Sequence, residues 1–187
     1  MGILLEIIIG VIAVVVLGLV VIIFNTLIML RNNVNKAWAN IDVLLQKRHD
    51  LIGSLVDVVK GYAKYERTVL AQLTRMRTSW ANVQDDSVND KIKTSNQITR
   101  ALKTLFANVE NYPDLKASNN FMQLQNSIVE IEDEIADRRE FYNDSVNEFN
   151  IKIQVIPYNA LSGILGYRQL PFFSASPDAK APVQWKS

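Results

Sequence analysis

The sequence predicts an all-α protein. An N-terminal transmembrane helix continues into a long helix of an up-down antiparallel helical bundle, with three long helices and a short C-terminal one. Three observations predict it. Ile3–Phe24 is almost wholly apolar, with Glu6 its only charge. No proline precedes Pro113, and proline inside a helix costs roughly 3 kcal/mol. From Val34 onward, apolar residues recur at heptad spacing in two long stretches, and no segment alternates as a strand would.

The first element is the apolar run. As a helix Ile3–Phe24 spans about 33 Å, matching a hydrocarbon core of roughly 30 Å. A cleaved signal peptide would show a basic region before the run and a small-x-small site after it. Neither is present, so a retained anchor over residues 1–26 is expected, with Glu6 reaching to the outer headgroups. Only the terminal amine and Glu6 precede the run, whereas Arg31, Lys36, Lys47 and Arg48 follow it. The positive-inside rule then places the bulk of the protein in the cytoplasm, as a single-pass protein of the cell membrane with its N-terminus outside. Gly10 and Gly18 are eight apart and do not form the GxxxG pattern of paired membrane helices.

The second element is the heptad stretch after the anchor. Val34, Ile41, Leu55, Tyr62, Val69 and Met76 fall seven apart, with Arg48 in the one gap. Ala37, Leu44, Leu51, Val58 and Tyr65 form a second row, and Trp38, Leu45, Ile52, Val59, Leu73 and Trp80 a third. Three rows in seven make the face of a bundle helix. The spacing predicts one helix through about Trp80, weakened at Gly53 and Gly61 by about 1 kcal/mol each. Its stripe is wider than two shorter helices would cover, which points to other copies of the chain.

The remaining elements follow from local signals. Asn82–Asp90 reads as a turn, and a helix over Val88–Glu110 follows, with Ile92, Ile98, Leu102 and Leu105 on one side. Tyr112-Pro113-Asp114 is a turn signal and Ser118 a candidate N-cap. The last long helix runs from about Asn119 to Ile156, where Pro157 stops it. Tyr158–Gly166 reads as a short helix. Residues 27–166 are thus expected to form the bundle, and 167–187 an irregular tail.

Composition narrows the function. The 187 residues carry 20 basic and 19 acidic side chains, a net charge of +1. No global field would draw nucleic acid. There is no cysteine, which excludes disulfides, thiol catalysis and cysteine-ligated metals. His49 is the single histidine, and Asp42 and Asp50 beside it make a poor metal set. No dinucleotide fingerprint, P-loop or nucleophile elbow occurs, so no enzyme activity and no cofactor are expected.

The polar residues that interrupt apolar rows are Arg48 and Arg138. Each is expected to pair with Asp42, Glu134 or Asp137, or to join Tyr142 and Asn143 in a buried cluster that sets helix register. Tyr167, Leu170, Phe172 and Phe173 follow a glycine and flank Pro171. They would cap the bundle end, touch lipid or dock on a partner.

Ala37-Trp38, Ile41-Asp42-Val43, Arg48-His49-Asp50-Leu51-Ile52 and Val59-Lys60-Gly61-Tyr62 are similar to the first helix of the LemA family. Tyr112-Pro113-Asp114-Leu115-Lys116-Ala117, Phe121, Leu124-Gln125, Arg138-Arg139 and Tyr142-Asn143 resemble its second block. Pro157-Tyr158-Asn159, Gly166-Tyr167 and Ala179–Val183 resemble its C-terminus. Gly53 stands where the family commonly has proline, and Tyr65-Glu66 where it has histidine and glutamate. The resemblance implies a bacterial inner-membrane protein with an inner helical bundle. It also makes Asp42, Arg48, Asp50, Arg138, Tyr142 and Asn143 the structural polar cluster.

The resulting expectation is a membrane-anchored helical scaffold that associates with itself and with the bilayer, binds no nucleic acid and organises or remodels the membrane. An adaptor of a membrane protease or envelope quality-control complex is the alternative. Small-molecule sensing between the helices is a weaker third, since no convergent polar pocket is readable.

Overall fold

The computed structural model describes residues 2–61, 67–83 and 87–174. Among these described residues six α-helices occur in order: α1 Gly2–Gly61, α2 Arg67–Ala81, α3 Val88–Asn108, α4 Pro113–Lys116, α5 Asn119–Lys152 and α6 Tyr158–Ile164. A 3-10 turn, Val109–Asn111, joins α3 to α4. No strand occurs among the described residues, so the all-α class is as the sequence predicts.

One expectation is corrected. The helix that begins at the N-terminus does not run on to Trp80. A Cβ placed on Gly53 would lie 3.8 Å from the guanidinium of Arg77. In one continuous helix, residues 24 apart are about 36 Å apart, far beyond the reach of an arginine. α2 therefore lies back against α1 and adds a fourth long element to the three expected. Tyr62 and Tyr65, which the heptad reading placed on the stripe, lie outside the described residues.

The described chain divides into two compact units, 2–38 with 141–172 and 39–140 with 173–174. In the first, α1 is exposed at every position from Ile3 to Ile22, and burial begins at Ile23. Ile23, Leu27, Leu30 and Val34 make a seam at spacings of four, three and four. Tyr142, Val146 and Phe149 of α5, with Ile153 just past its end, repeat that spacing and are likewise buried. Ring contacts set the register. Trp38 meets Tyr142 edge-on at 5.6 Å, and the Arg31 guanidinium sits 5.7 Å from the Phe149 ring centre. As one number falls by seven the other rises by seven, so the helices are antiparallel.

The second unit buries four faces. α1 contributes Ile41, Leu45, Ile52, Leu55 and Val59, and α2 contributes Val69, Leu73, Met76 and Trp80. α3 adds Ile92, Ile98, Leu102 and Leu105, and α5 adds Phe121, Ile128 and Ile135. The wide stripe of α1 is thus covered by the chain itself. Ser87 starts α3: its Oγ accepts from the Asp90 amide at 3.3 Å and donates to the Asp90 carboxylate at 2.7 Å. That hydrogen bond is the main reason the Asp90 carboxyl titrates below its usual range. Pro113 opens α4 at a position where its missing N–H costs nothing. Ser118 then accepts from the Phe121 amide at 3.4 Å, capping α5.

Candidate functional site

In the second unit, the heptad row of α1 delivers Arg48 into the core at 1% exposure. A lone buried cation would be prohibitively costly, so its partners decide whether the unit folds. α5 supplies Glu132, whose Oε1 accepts from Arg48 Nη1 at 2.7 Å. α3 supplies Ser95 and Thr99, whose hydroxyls accept from Nη2 and Nη1, each at 3.1 Å. Thr99 in turn donates to Glu132 Oε2 at 2.8 Å. Three helices are thereby tied at one level by a charge-assisted network. Burial lowers the Arg48 pKa, while the charge and hydrogen bond of Glu132 oppose that fall. This is an internally neutralised ion pair.

The expected partners of Arg48 were different. Asp42 instead pairs with Lys91 of α3 at 3.1 Å, and Asp50 accepts from Gln46 one turn away on its own helix. Arg138 is exposed, and the inward arginine is its neighbour Arg139, whose guanidinium stacks 4.3 Å from the Phe173 ring centre. Burial is the largest influence lowering the Arg139 pKa; the charge of Glu132 acts against it and that of Arg48 with it. Sequence contained the signal for this. Read backward in sevens from the apolar Ile153 and Val146, the row meets Arg139 and then Glu132. Read forward from Leu124 and Ile131, it meets Arg138.

In the first unit, Tyr142 is buried, and its phenol donates to the Pro171 carbonyl at 2.9 Å. Burial pushes its pKa up to about 12, with Arg31 working against the rise. Asn150, also buried, brackets Leu170. Its Oδ1 accepts from the Leu170 amide at 2.8 Å, and its Nδ2 donates to the Leu170 carbonyl at 3.0 Å. Tyr167 meets Phe149 edge-on at 5.6 Å. Residues 167–172 therefore form a strap fastened to α5, entered through Gly166, whose φ of +67° suits glycine. Asn150 was missed by the sequence reading, because a polar side chain that serves a distant backbone leaves no periodic trace.

The strap, with Phe173 just after it, carries the four residues expected to cap the bundle end, touch lipid or dock on a partner. Phe173, in the second unit, is 1% exposed beneath Arg139 and has no surface to offer lipid or a partner. Tyr167 and Leu170 are half-buried, and Phe172 alone of the four is exposed. Asn143 is half-buried on α5, and Glu6 is exposed on the apolar part of α1.

Among the described residues no group of three or more histidine, aspartate or glutamate side chains could hold a metal. An open cleft of about 300 Å³ lies between α2 and α3; Met76, Ile98 and Ala101 line it together with Gln72, Arg75 and Thr104.

Comparison with known proteins decides the family. Residues 37–186 match the LemA family profile. The chain belongs to the LemA family. The LemA-family chain is 26% identical over 184 residues to magnetosome protein MamQ 2 of Paramagnetospirillum magneticum, covering 86% of this chain and 68% of that protein. It is 23% identical over 184 residues to magnetosome protein MamQ of Magnetospirillum gryphiswaldense, with the same coverage. Protein LemA of Metamycoplasma hominis is 28% identical over 152 residues, covering 81% of this chain and 69% of that one. The matched region includes Arg48, Ser95, Thr99, Glu132 and Asn150. α1 alone among the described helices is long and apolar enough to cross a membrane.

Proposed function

We propose that this LemA-family chain is a membrane-anchored, self-associating scaffold that organises or remodels the bacterial membrane without catalysing a reaction. The observation that carries the reading is α1 itself. Its side chains from Ile3 to Ile22 are all exposed and, Glu6 apart, uncharged, and the same unbroken helix then turns apolar residues into a packed core. An apolar face of that length has lipid as its natural solvent. The basic flank after the apolar run favours a cytoplasmic bundle in the inner membrane.

Self-association draws no support from the lower half of α1, whose stripe the chain covers itself. It draws support from Met122 and Val129, seven apart and exposed on one outer row of α5. The similarity to proteins named for the magnetosome favours organisation over catalysis. Chemical crosslinking in native membranes is expected to give a ladder well beyond dimer. A strictly monomeric particle, both in mild detergent and in membranes, would sink the reading.

The second reading is an adaptor of a membrane protease, favoured by the cleft between α2 and α3. Its apolar floor and polar rim suit a short peptide segment. Stoichiometric recovery of such a protease with the intact chain, lost on Ala101→Trp, would favour this reading over the scaffold.

A further inference from the structure

Unit one ends in an apolar corner whose height along α1 can be read from the register. Trp38 lies against Tyr142 and Arg31 against Phe149. The two numbers total 180 in each pair, as antiparallel helices require. Continuing that register to the end of α5 places Lys152 level with Ile28, and the buried Ile153 follows beside the buried Leu27. Phe24, one turn before Ile28, is the last residue of the apolar run. The corner between α5 and α6 therefore begins within about a turn of where the run ends.

α6 is held at the same height. The Ser162 hydroxyl donates to the Ile153 carbonyl at 3.0 Å, so the short helix is pinned to the end of α5. Its partner elements leave two large side chains uncovered: Ile156 is 84% and Ile164 82% exposed, the highest values of any large apolar residue among the described residues. Ile151 and Val155 add to the uncovered surface. In water this would be a costly choice of residues.

Charge follows the same gradient. Residues 149–170 contain Lys152 and Arg168 and no acid, and residues 25–38 contain Arg31 and Lys36 and no acid. The first acid met on α5, Glu148, is level with Asn32, about 12 Å further along α1 than Phe24. Lys152 is oriented at the corner, its Nζ 4.3 Å from the Tyr158 ring centre. Apolar tips, an aromatic ring and an acid-free basic collar are the composition of a segment lying in a membrane interface.

We propose that the α5–α6 corner is a second membrane contact of this protein. Ile156 and Ile164 enter the acyl–headgroup boundary of the leaflet through which α1 leaves, and Lys152 and Arg168 meet anionic headgroups. The proposal rests on the reading of α1 as a membrane span. It adds a monotopic foot beside that span, which would fix how the first unit stands on the bilayer.

The chain has no cysteine, so single nitroxide labels can be placed in the full-length protein at Ile156→Cys and Ile164→Cys. Both side chains are exposed, and neither change disturbs the core. The samples are vesicles of phosphatidylethanolamine and phosphatidylglycerol, and the readout is collision with oxygen against a water-soluble nickel complex. Labels at 156 and 164 should show a several-fold higher oxygen-to-nickel ratio than one at Glu148→Cys. A ratio equal to that at 148, with or without dipolar broadening from a neighbouring copy, overturns the proposal. A label at Val16→Cys separates the two failures. If it reads deep while 156 and 164 read aqueous, the span stands and the foot falls; if it also reads aqueous, the span itself is wrong. In vesicles of phosphatidylcholine alone the corner should read shallower, and unchanged depth would overturn the role given to Lys152 and Arg168.

Discussion

Arg48 Nη1 and Glu132 Oε1 lie 2.7 Å apart in the core of the second unit, joining α1 to α5. Removing one partner of such a pair leaves an uncompensated charge, at a cost of about 3–5 kcal/mol. Glu132→Ala is expected to lose stability on that scale in thermal unfolding of the full chain. The double variant Arg48→Met, Glu132→Leu should recover most of it, because apolar replacements of both partners are often neutral. A loss below about 1 kcal/mol for Glu132→Ala would mean that water reaches Arg48.

Gly53 weakens α1 without steric need. The nearest atoms to a Cβ there are in the Arg77 side chain at 3.8 Å, ordinary van der Waals contact. Gly53→Ala is therefore expected to raise stability by about 1 kcal/mol, the propensity difference in a helix interior. A lower melting temperature would show that the approach of α2 is tighter than this geometry.

Asn150 is the fastener of the strap. Asn150→Ala leaves the Leu170 amide and carbonyl without their side-chain partner, and a buried unpaired group costs about 1–3 kcal/mol. Limited trypsin digestion should cleave after Arg168 faster in the variant than in the parent. Equal rates would show that the aromatic contact of Tyr167 holds the strap unaided.

Tyr142 gives the first unit an alkaline limit. Its folded pKa, about 12, stands above the ordinary value of 10, so the folded state holds the phenolic proton more tightly. The stabilisation is complete below pH 10 and is lost as pH rises from 10 toward 12. Tyr142→Phe should be less stable at neutral pH, through loss of the bond to Pro171, and should show a smaller decline over that window. Parallel declines in parent and variant would refute this assignment.

His49 gives the second unit an acid-sensitive point. Burial is the first cause lowering its pKa; the charge of Arg77 adds to it and that of Asp50 opposes it. The neutral ring is favoured in the fold, so its contribution is present above pH 6.5 and lost as pH falls through the depressed value. Denaturant midpoints at pH 7 and pH 5 should differ less in His49→Gln than in the parent. An unchanged difference would move the acid sensitivity to the carboxylates.

Much of the fold was legible from spacing alone. The start of the last long helix, the break at Tyr112-Pro113-Asp114 and the cap at Ser118 follow from local rules that act within a few residues, although that helix ends at Lys152 and not at the expected Ile156. The extent of α1 was not legible, because heptad rows run through Val69 and Met76 whether or not the chain folds back. Periodicity reports which face is apolar and is silent on whether two stretches share one axis. The candidate site divides in the same way. Arg48 is marked as an interruption in an apolar row, and Glu132 shows only when the α5 row is read backward from Ile153, whereas Ser95 and Thr99 look like ordinary surface residues of their helix.

The sequence by itself determined that this chain is helical, that Ile3–Phe24 can cross a bilayer, and that Arg48 interrupts an apolar row. Those properties reside in short windows, where propensity, periodicity and charge act locally. Only the tertiary structure decided that α2 returns along α1, that Glu132 neutralises Arg48 and that Phe173 is buried under Arg139. The same holds for the register that brings the end of α5 at Lys152 to within a turn of Phe24. Each depends on residues tens of positions apart being brought within a few ångströms, and the burial that makes a charge costly or an isoleucine conspicuous exists only once they are.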